Sequence, residues 1–144
     1  MKKILSILAI ALVFCMNTRA DNKQVITFMQ LPQAAQDAIS ANFKASDVSY
    51  VTKESGWSTE YEVRLNDGTE IEFDGDGAVK EVDCKKNAVP EALLPADVVS
   101  YVKTHFAGVS ITKWGQDDGS YEAELSNGLE LKFDKSYRFL RLGD

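Results

Sequence analysis

The sequence predicts an α+β fold of two tandem repeats, each with one helix followed by about four antiparallel strands. The first observation is an internal repeat: YEVRLNDGTEIEFDGDGAVKEV, residues 61–82, aligns with YEAELSNGLELKFDKSYRFLRL, residues 121–142, at a constant offset of sixty. The second is the helical spacing of apolar residues after each Leu-Pro pair, and the third is strict apolar-polar alternation around each glycine turn. We expect the helices to cover one sheet face and the other face to be open to water.

Each repeat is predicted to begin with a helix that opens at a proline. Pro32 and Pro95 suit the first helical position. A backbone N–H at this position has no acceptor within the helix, so its absence in proline loses no hydrogen bond. The helices align at an offset of 63, which indicates a short deletion between helix and sheet in the second copy. Apolar residues recur at helical spacing and are expected to face the core: Ala35, Ala38, Ile39, Phe43, Val98, Tyr101, Val102 and Phe106.

The segments after each helix switch to the two-residue period of β-strands. Tyr61, Val63 and Leu65 alternate with charged residues, and the sequence NDG turns the chain into Ile71 and Phe73. The stretch NAVPEALLP between the copies predicts a linker with a turn of helix. Further strands are predicted before and after each hairpin, over residues 48–53, 78–84, 109–113 and 138–142.

An export signal is predicted at the N-terminus, because the basic MKK precedes the apolar ILSILAIALVFC. This apolar run is too short to span a bilayer stably. The predicted organisation is a signal peptide over 1–20, a first repeat over 21–86 and a second repeat over 87–144, the two repeats forming one domain. We expect a periplasmic or secreted protein with no membrane insertion after removal of the signal.

The charge that remains after processing limits the classes of partner. Three of the 16 basic residues, Lys2, Lys3 and Arg19, leave with the signal, whereas all 22 acidic residues remain. This negative excess repels phosphate backbones and anionic lipids, so nucleic acid and membrane partners are disfavoured and a basic protein or peptide is favoured. Cys84 is the one cysteine after residue 20, so an internal disulfide is excluded and the oligomeric state stays open.

The order of these motifs, repeated twice, resembles the PepSY-like periplasmic proteins of Bacteroidetes. In each copy Leu-Pro opens a helix, an aromatic residue closes it, and Tyr-x-Val/Ala-x-Leu, a glycine turn and Phe-Asp follow. The resemblance implies a fold similar to that of the beta-lactamase inhibitory protein, which grips an enzyme with its exposed sheet face, and a peptidase-binding or inhibitory role. The chain departs from the pattern after the first hairpin, where Ala78 and Val79 stand in the place of an aromatic residue that the second copy has as Phe139.

The open sheet face is the predicted binding surface. Nine of its eleven predicted side chains are acidic, and charged exposed strands also serve solubility and prevent sheets from pairing with each other, which is the alternative explanation. Aromatic residues near the rim are predicted anchors, although they suit a core equally well. The candidate binding residues are Tyr50, Trp57, Glu60, Glu62, Glu72, Trp114, Glu122, Glu124 and Phe139.

An enzyme is the disfavoured alternative, and no cofactor is predicted. The one histidine, His105, lies near a helix end, and Cys84 has no histidine near it in sequence to activate it. Glu60 and Glu62 have a separation compatible with paired-carboxylate chemistry, but the sequence predicts no pocket around them.

A calcium-binding or small-ligand-binding protein is the remaining alternative. IEFDGDGAVKEVD, residues 71–83, has the spacing of a calcium loop, with Asp74 and Asp76 as candidate ligands. Its flanks are strand-like, however, and the second copy replaces residues 75–77 with Lys-Ser-Tyr. We therefore predict a strand-to-strand turn that Asp74 opens, with positive φ angles at Gly75 and Gly77.

Overall fold

The computed structural model describes residues 22–144, and the predicted signal peptide lies outside the described residues. Within that range the chain forms two α-helices and one nine-stranded antiparallel sheet, in which every strand pairs with the next along the chain. The predicted α+β class is thus confirmed. The elements are β1 Lys23–Ile26, α1 Gln33–Asn42, β2 Val48–Ser55, β3 Thr59–Leu65, β4 Glu70–Asp74, β5 Val79–Asp83, α2 Ala96–His105, β6 Ile111–Asp117, β7 Ser120–Leu125, β8 Glu130–Phe133 and β9 Phe139–Leu142.

Both helices begin one residue after their prolines. Pro32 has a ψ of 146°, outside the helical range, and its carbonyl accepts a hydrogen bond from the Gln36 amide at 3.1 Å. Pro95 is placed in the same way before α2. The prediction of proline at the first helical position is therefore wrong by one residue, because the fixed φ of proline suits the capping position as well. The predicted helical turn between the repeats is a 3₁₀ turn over Glu91–Leu93.

The core lies between the helices and one face of the sheet. Val63, Ile71 and Phe73 are completely buried, and so are Leu131 and Phe133 in the second repeat. Each of them alternates with a charged neighbour that points to the other side, as the two-residue period of a strand requires. The helices contribute Ala35, Ile39, Val98 and Val102 to the same core.

Strand β1 was not predicted. Its four residues, KQVI, place only Ile26 against the core, opposite Val51, while Val25 is 77% exposed. One apolar residue gives no recognisable alternation, and the strand forms because β2 offers free backbone groups at the sheet edge. The first repeat therefore has five strands, one more than predicted.

The two repeats carry the same irregularities at matching positions. A bulge lies between Glu72 and Phe73 where β4 pairs with β5, and another between Lys132 and Phe133 where β8 pairs with β9. The repeats meet in the middle of the sheet, where β5 and β6 pair through Val82 with Trp114 and Asp83 with Lys113. These matching irregularities allow the two repeats to be compared residue by residue.

Candidate functional site

The polar side of the sheet, called the open face below, is formed by strand residues that alternate with the core. Within residues 22–144 both helices lie on the opposite side of the sheet. Two rows of directly paired residues cross it, one per repeat. The first row is Thr52, Glu62, Glu72 and Glu81, and the second is Gly115, Glu122, Lys132 and Arg141.

The open face is less acidic than predicted, because lysines from neighbouring strands neutralise part of it. The Lys23 ammonium of β1 donates to Glu62 Oε2 at 2.7 Å, which raises the pKa of Lys23. Lys80 pairs with Glu60. Lys113 Nζ lies 3.1 Å from Glu81 Oε1. The predicted face omitted these cations for different reasons. Lys23 lies on a strand that was not predicted, Lys80 lies in a bulge, and Lys113 lies on a predicted strand whose residues were not assigned to either face.

Some carboxylates of the open face keep no cationic partner among the described residues. Glu62 and Glu60 have lysines, and Glu70 is held by Arg64 and Lys85. The glutamates without an ion pair in residues 22–144 are Glu54, Glu72, Glu124 and Glu130. Glu72 and Glu124, which were predicted binding residues, are therefore the more available ones for an external cation.

Glu72 has the least favourable surroundings of these acids. Its direct cross-strand neighbours are Glu62 on β3 and Glu81 on β5, an arrangement of like charges that destabilises a sheet. Partial burial, followed by repulsion from Glu81, Glu60 and Glu62, raises the pKa of Glu72. The ionised carboxylate is thus neither paired nor well hydrated.

A small cleft opens on the face beside this residue and is called the Glu72 cleft. Its volume is about 30 Å³. Thr52 lies in it with only 6% exposure, and the Thr52 hydroxyl has no hydrogen-bond partner within the described chain. The lining residues are Lys23, Thr52, Glu54, Glu60, Tyr61, Glu62 and Glu72.

The corresponding place in the second repeat is filled by a lysine. Lys132 occupies in β8 the position of Glu72 in β4, and its ammonium contacts the carboxylates of Asp117 and Glu122. Hydrogen bonds to these two acids raise the pKa of Lys132 to about 12. Glu122, a predicted binding residue, is therefore occupied by a cation of its own chain.

The aromatic candidates divide between surface and core. Trp57, in the turn between β2 and β3, is fully exposed, and Tyr50 is 39% exposed on the open face with the Arg64 guanidinium 5.9 Å from its ring centre. Trp114 is 3% exposed and stacks on Tyr121 with ring centres 5.1 Å apart. The expected role of Trp114 as a surface anchor is wrong, because the residue pairs with buried Val82 and Ala123 and so faces the helices.

Phe139 also lies on the helix side of the sheet. Its ring stacks on Tyr101 of α2 at 4.8 Å, and its strand partner is buried Phe133. The prediction of Phe139 on the open binding surface is therefore corrected. The β8–β9 bulge sets which side of the sheet each β9 residue faces, and this cannot be derived from the nearly unbroken apolar pattern FLRL.

The calcium-like stretch is a turn, as its counterpart in the second repeat indicates. Asp74 Oδ1 accepts from the amides of Asp76 at 2.9 Å and Ala78 at 3.0 Å, and Asp134 Oδ1 does the same for Ser136 and Arg138. Gly77 has a φ of 87°, but Gly75 has no positive φ, so that part of the prediction is wrong. Across residues 22–144 no group of three histidine, cysteine or acidic side chains is arranged to hold a metal ion.

The residues considered for catalysis stand apart from one another. Glu60 and Glu62 are held by Lys80 and Lys23, and exposed His105 lies at the end of α2. Burial raises the pKa of the Cys84 thiol, so the neighbouring lysines do not activate it. None of these arrangements joins a nucleophile to a base.

The fold and the open face define a class of two-repeat proteins in which helices cover one side of an antiparallel sheet. Residues 16–66 and 59–141 match the family model described as "Putative beta-lactamase-inhibitor-like, PepSY-like". The chain therefore belongs to the PepSY-like family, and the predicted membership is confirmed. None of the curated proteins matches the sequence.

Solved structures agree with this family. A protein from Bacteroides vulgatus ATCC 8482, described as a "putative periplasmic protein from DUF2874 family", is 36% identical with a TM-score of 0.79, over 87% of this chain and 99% of its own. A "putative calcium-regulated periplasmic protein" from Bacteroides thetaiotaomicron is 37% identical with a TM-score of 0.77 over the same shares.

A second Bacteroides vulgatus ATCC 8482 protein, described as a "putative periplasmic protein of unknown function", is 35% identical with a TM-score of 0.74 over 85% of this chain and 99% of its own. The periplasmic location predicted from the sequence is thus confirmed by all three relatives. The described helices include none that is long and apolar enough to cross a membrane.

Proposed function

We propose that this chain is a non-enzymatic periplasmic binding module that holds a protein or peptide on its open face. The observation that carries the proposal is the extent of that face. Nine strands spaced about 4.8 Å apart and about five residues long give a surface of about 38 by 17 Å. Its area, roughly 650 Å², is close to what each partner contributes to a standard interface, about 800 Å².

The chemistry of the face favours a basic partner. Unpaired glutamates remain after the internal ion pairs are formed, and the processed chain is expected to be strongly acidic. Tyr50 lies on the face, and Trp57 projects from its rim as a fully exposed indole, a residue type enriched at binding hot spots. An exported peptidase or other enzyme is the first partner class to test, in keeping with the family description.

The test is capture of partners from periplasmic extract, followed by footprinting. Residues 21–144 serve as bait beside a variant with Tyr50→Ala and Trp57→Ala and a charge variant with Glu62→Lys and Glu124→Lys. Met29→Ala, an exposed apolar residue next to α1, is the matched control. We expect both face variants to lose the partner and the control to keep it.

Carbodiimide labelling of carboxylates then locates the contact. In the complex, labelling of Glu72 and Glu124 should fall, while labelling of Asp37 on α1 and Asp97 on α2 should stay unchanged. Protection of the helix carboxylates instead, or capture by both face variants at the level of the unmodified bait, contradicts the proposal. A panel of peptidases assayed with stoichiometric protein separates binding from inhibition.

Calcium serves as a control ligand in these experiments. One relative is described as calcium-regulated, and that description belongs to the relative. In this chain the Asp74 carboxylate oxygen Oδ1 is already used by two backbone amides. We expect calcium to leave both the thermal midpoint and the captured partner unchanged.

A further inference from the structure

The two rows of the open face differ in charge at two positions, where the second row has Lys132 and Arg141 and the first row has Glu72 and Glu81. In the second repeat, Lys132 places an ammonium against Asp117 and Glu122. In the first repeat the matching position is Glu72, which adds a carboxylate between Glu62 and Glu81. Lys23 and Lys113 neutralise Glu62 and Glu81, but the Glu72 carboxylate between them has no ion pair among the described residues.

A second, independent feature of the Glu72 cleft also lacks a partner. The hydroxyl of Thr52, a residue that is 6% exposed, has no hydrogen bond within the described residues. A buried hydroxyl without a partner costs free energy, and such a group in a native structure needs an explanation. A ligand with hydrogen-bond donors that enters the cleft would satisfy Thr52 and neutralise Glu72 together.

The size of the cleft selects among cations. A volume of about 30 Å³ holds one or two water-sized groups. An ammonium is of that size and has three donors, whereas small-molecule pockets usually measure about 300–1,000 Å³. A bare metal ion is disfavoured, because residues 22–144 offer it no group of three suitably placed ligands.

We propose that the Glu72 cleft is a subsite for a lysine side chain of the bound partner, with the Glu72 carboxylate and the Thr52 hydroxyl accepting from its ammonium. The proposal rests on the proposed function and deepens it, since it names the side chain that the partner inserts. Lys23 already neutralises Glu62, so the carboxylates that line the cleft without an ion pair are Glu54 and Glu72, of which Glu72 is the more buried.

The probe is a capped pentapeptide, acetyl-Gly-Val-Lys-Val-Gly-amide, titrated into ¹⁵N-labelled residues 21–144. Versions with norleucine and arginine at the centre are the matched ligands, and calcium chloride alone is the metal control. We expect saturable shifts of the Thr52, Glu62 and Glu72 amide signals with the lysine peptide. The norleucine peptide should cause none, and the arginine peptide should bind several-fold more weakly because its head group is larger.

Two isosteric variants test the acceptors. Glu72→Gln should weaken the lysine peptide about tenfold, because it removes the negative charge that pairs with the ammonium. Thr52→Val should weaken it about threefold, because it removes a hydroxyl that accepts from a charged group. The thermal midpoints of both variants should be equal to or above that of the unmodified chain, because each removes an unsatisfied group. Asp37→Asn, the same type of charge change on exposed α1, should leave peptide affinity unchanged.

Several results would overturn the subsite. They are equal binding of the lysine and norleucine peptides, unchanged affinity of Glu72→Gln, a lowered midpoint of Thr52→Val, or the same shifts produced by calcium alone. Failure here is distinguishable from failure of the proposed function. A partner that footprints on the open face but binds Glu72→Gln normally removes only the subsite, whereas lysine-peptide binding without any open-face partner removes only the wider function.

Discussion

The two repeats have the same arrangement of strands and helix but differ in the side chains at matching positions of the sheet. The second repeat neutralises Asp117 and Glu122 with Lys132 and fills its core side with aromatic rings, among them Trp114 and Phe139. The first repeat has Glu72 and Val79 at the positions of Lys132 and Phe139. The second repeat thus balances the charge at this position within its own chain, whereas the first leaves Glu72 without an ion pair beside the unsatisfied Thr52 hydroxyl, as binding sites commonly do.

The largest expected effect tests the core side of this comparison. Trp114→Ala should lower the free energy of unfolding by about 3–5 kcal/mol, because it leaves a large cavity beside Tyr121 and Phe133. The exposed Trp57→Ala is the matched control and should change stability by less than about 0.5 kcal/mol. Urea denaturation of both variants measures the difference. Equal losses would show that the two indoles are equally buried.

The next effect concerns the turn that contacts α1. A Cβ added at Gly77 would lie 2.9 Å from the Ala35 amide nitrogen and 2.9 Å from Pro32 Cβ, at a φ of 87°. Gly77→Ala should therefore cost about 2–3 kcal/mol from backbone strain and overpacking. Gly68→Ala has a similar φ of 91° but its nearest contact is at 3.9 Å, so about 1 kcal/mol is expected.

Reversing the charge at positions 132 and 72 tests whether this pair of matching positions causes the difference between the repeats. Lys132→Glu should lower stability by roughly 1–2 kcal/mol, because it places a third carboxylate beside Asp117 and Glu122. The reciprocal Glu72→Lys should stabilise the chain by about 0.5–1 kcal/mol and abolish binding of the lysine peptide. Thermal unfolding at low salt checks both variants. A stabilising Lys132→Glu would contradict the proposed role of the lysine.

The smallest effect is a pH-dependent one at Glu72. Its pKa is raised above the ordinary 4.5, so its contribution to stability is fully present below pH 4.5 and is lost as the pH rises through the raised value. Glu72→Gln should therefore be more stable than the unmodified chain at pH 7, by about 0.5 kcal/mol. The advantage should vanish at about pH 3.5, where Glu72 is protonated. A difference that does not change with pH would exclude repulsion as its cause.

Most of the fold was predictable because its signals are local. Alternation around Val63, Ile71 and Phe73 and the helical spacing after Pro32 and Pro95 require only neighbouring residues. The candidate site was predicted less well. Trp57 and Glu72 were named correctly as surface residues, whereas Trp114 and Phe139 were placed on the wrong side of the sheet. Bulges and an unpredicted edge strand change which residues share a face, and no short-range pattern records them.

The α+β class, the family and the alternation that makes one face of the sheet charged could all be derived from the order of the residues. Which of those charges are neutralised became clear only from the folded chain. Lys23 reaches Glu62 across 39 residues of chain, and Glu72 lies between two other glutamates because three separate strands bring them together. The physical reason is that electrostatic free energy depends on distance and burial in space, which the pairing of strands sets and the order of residues does not.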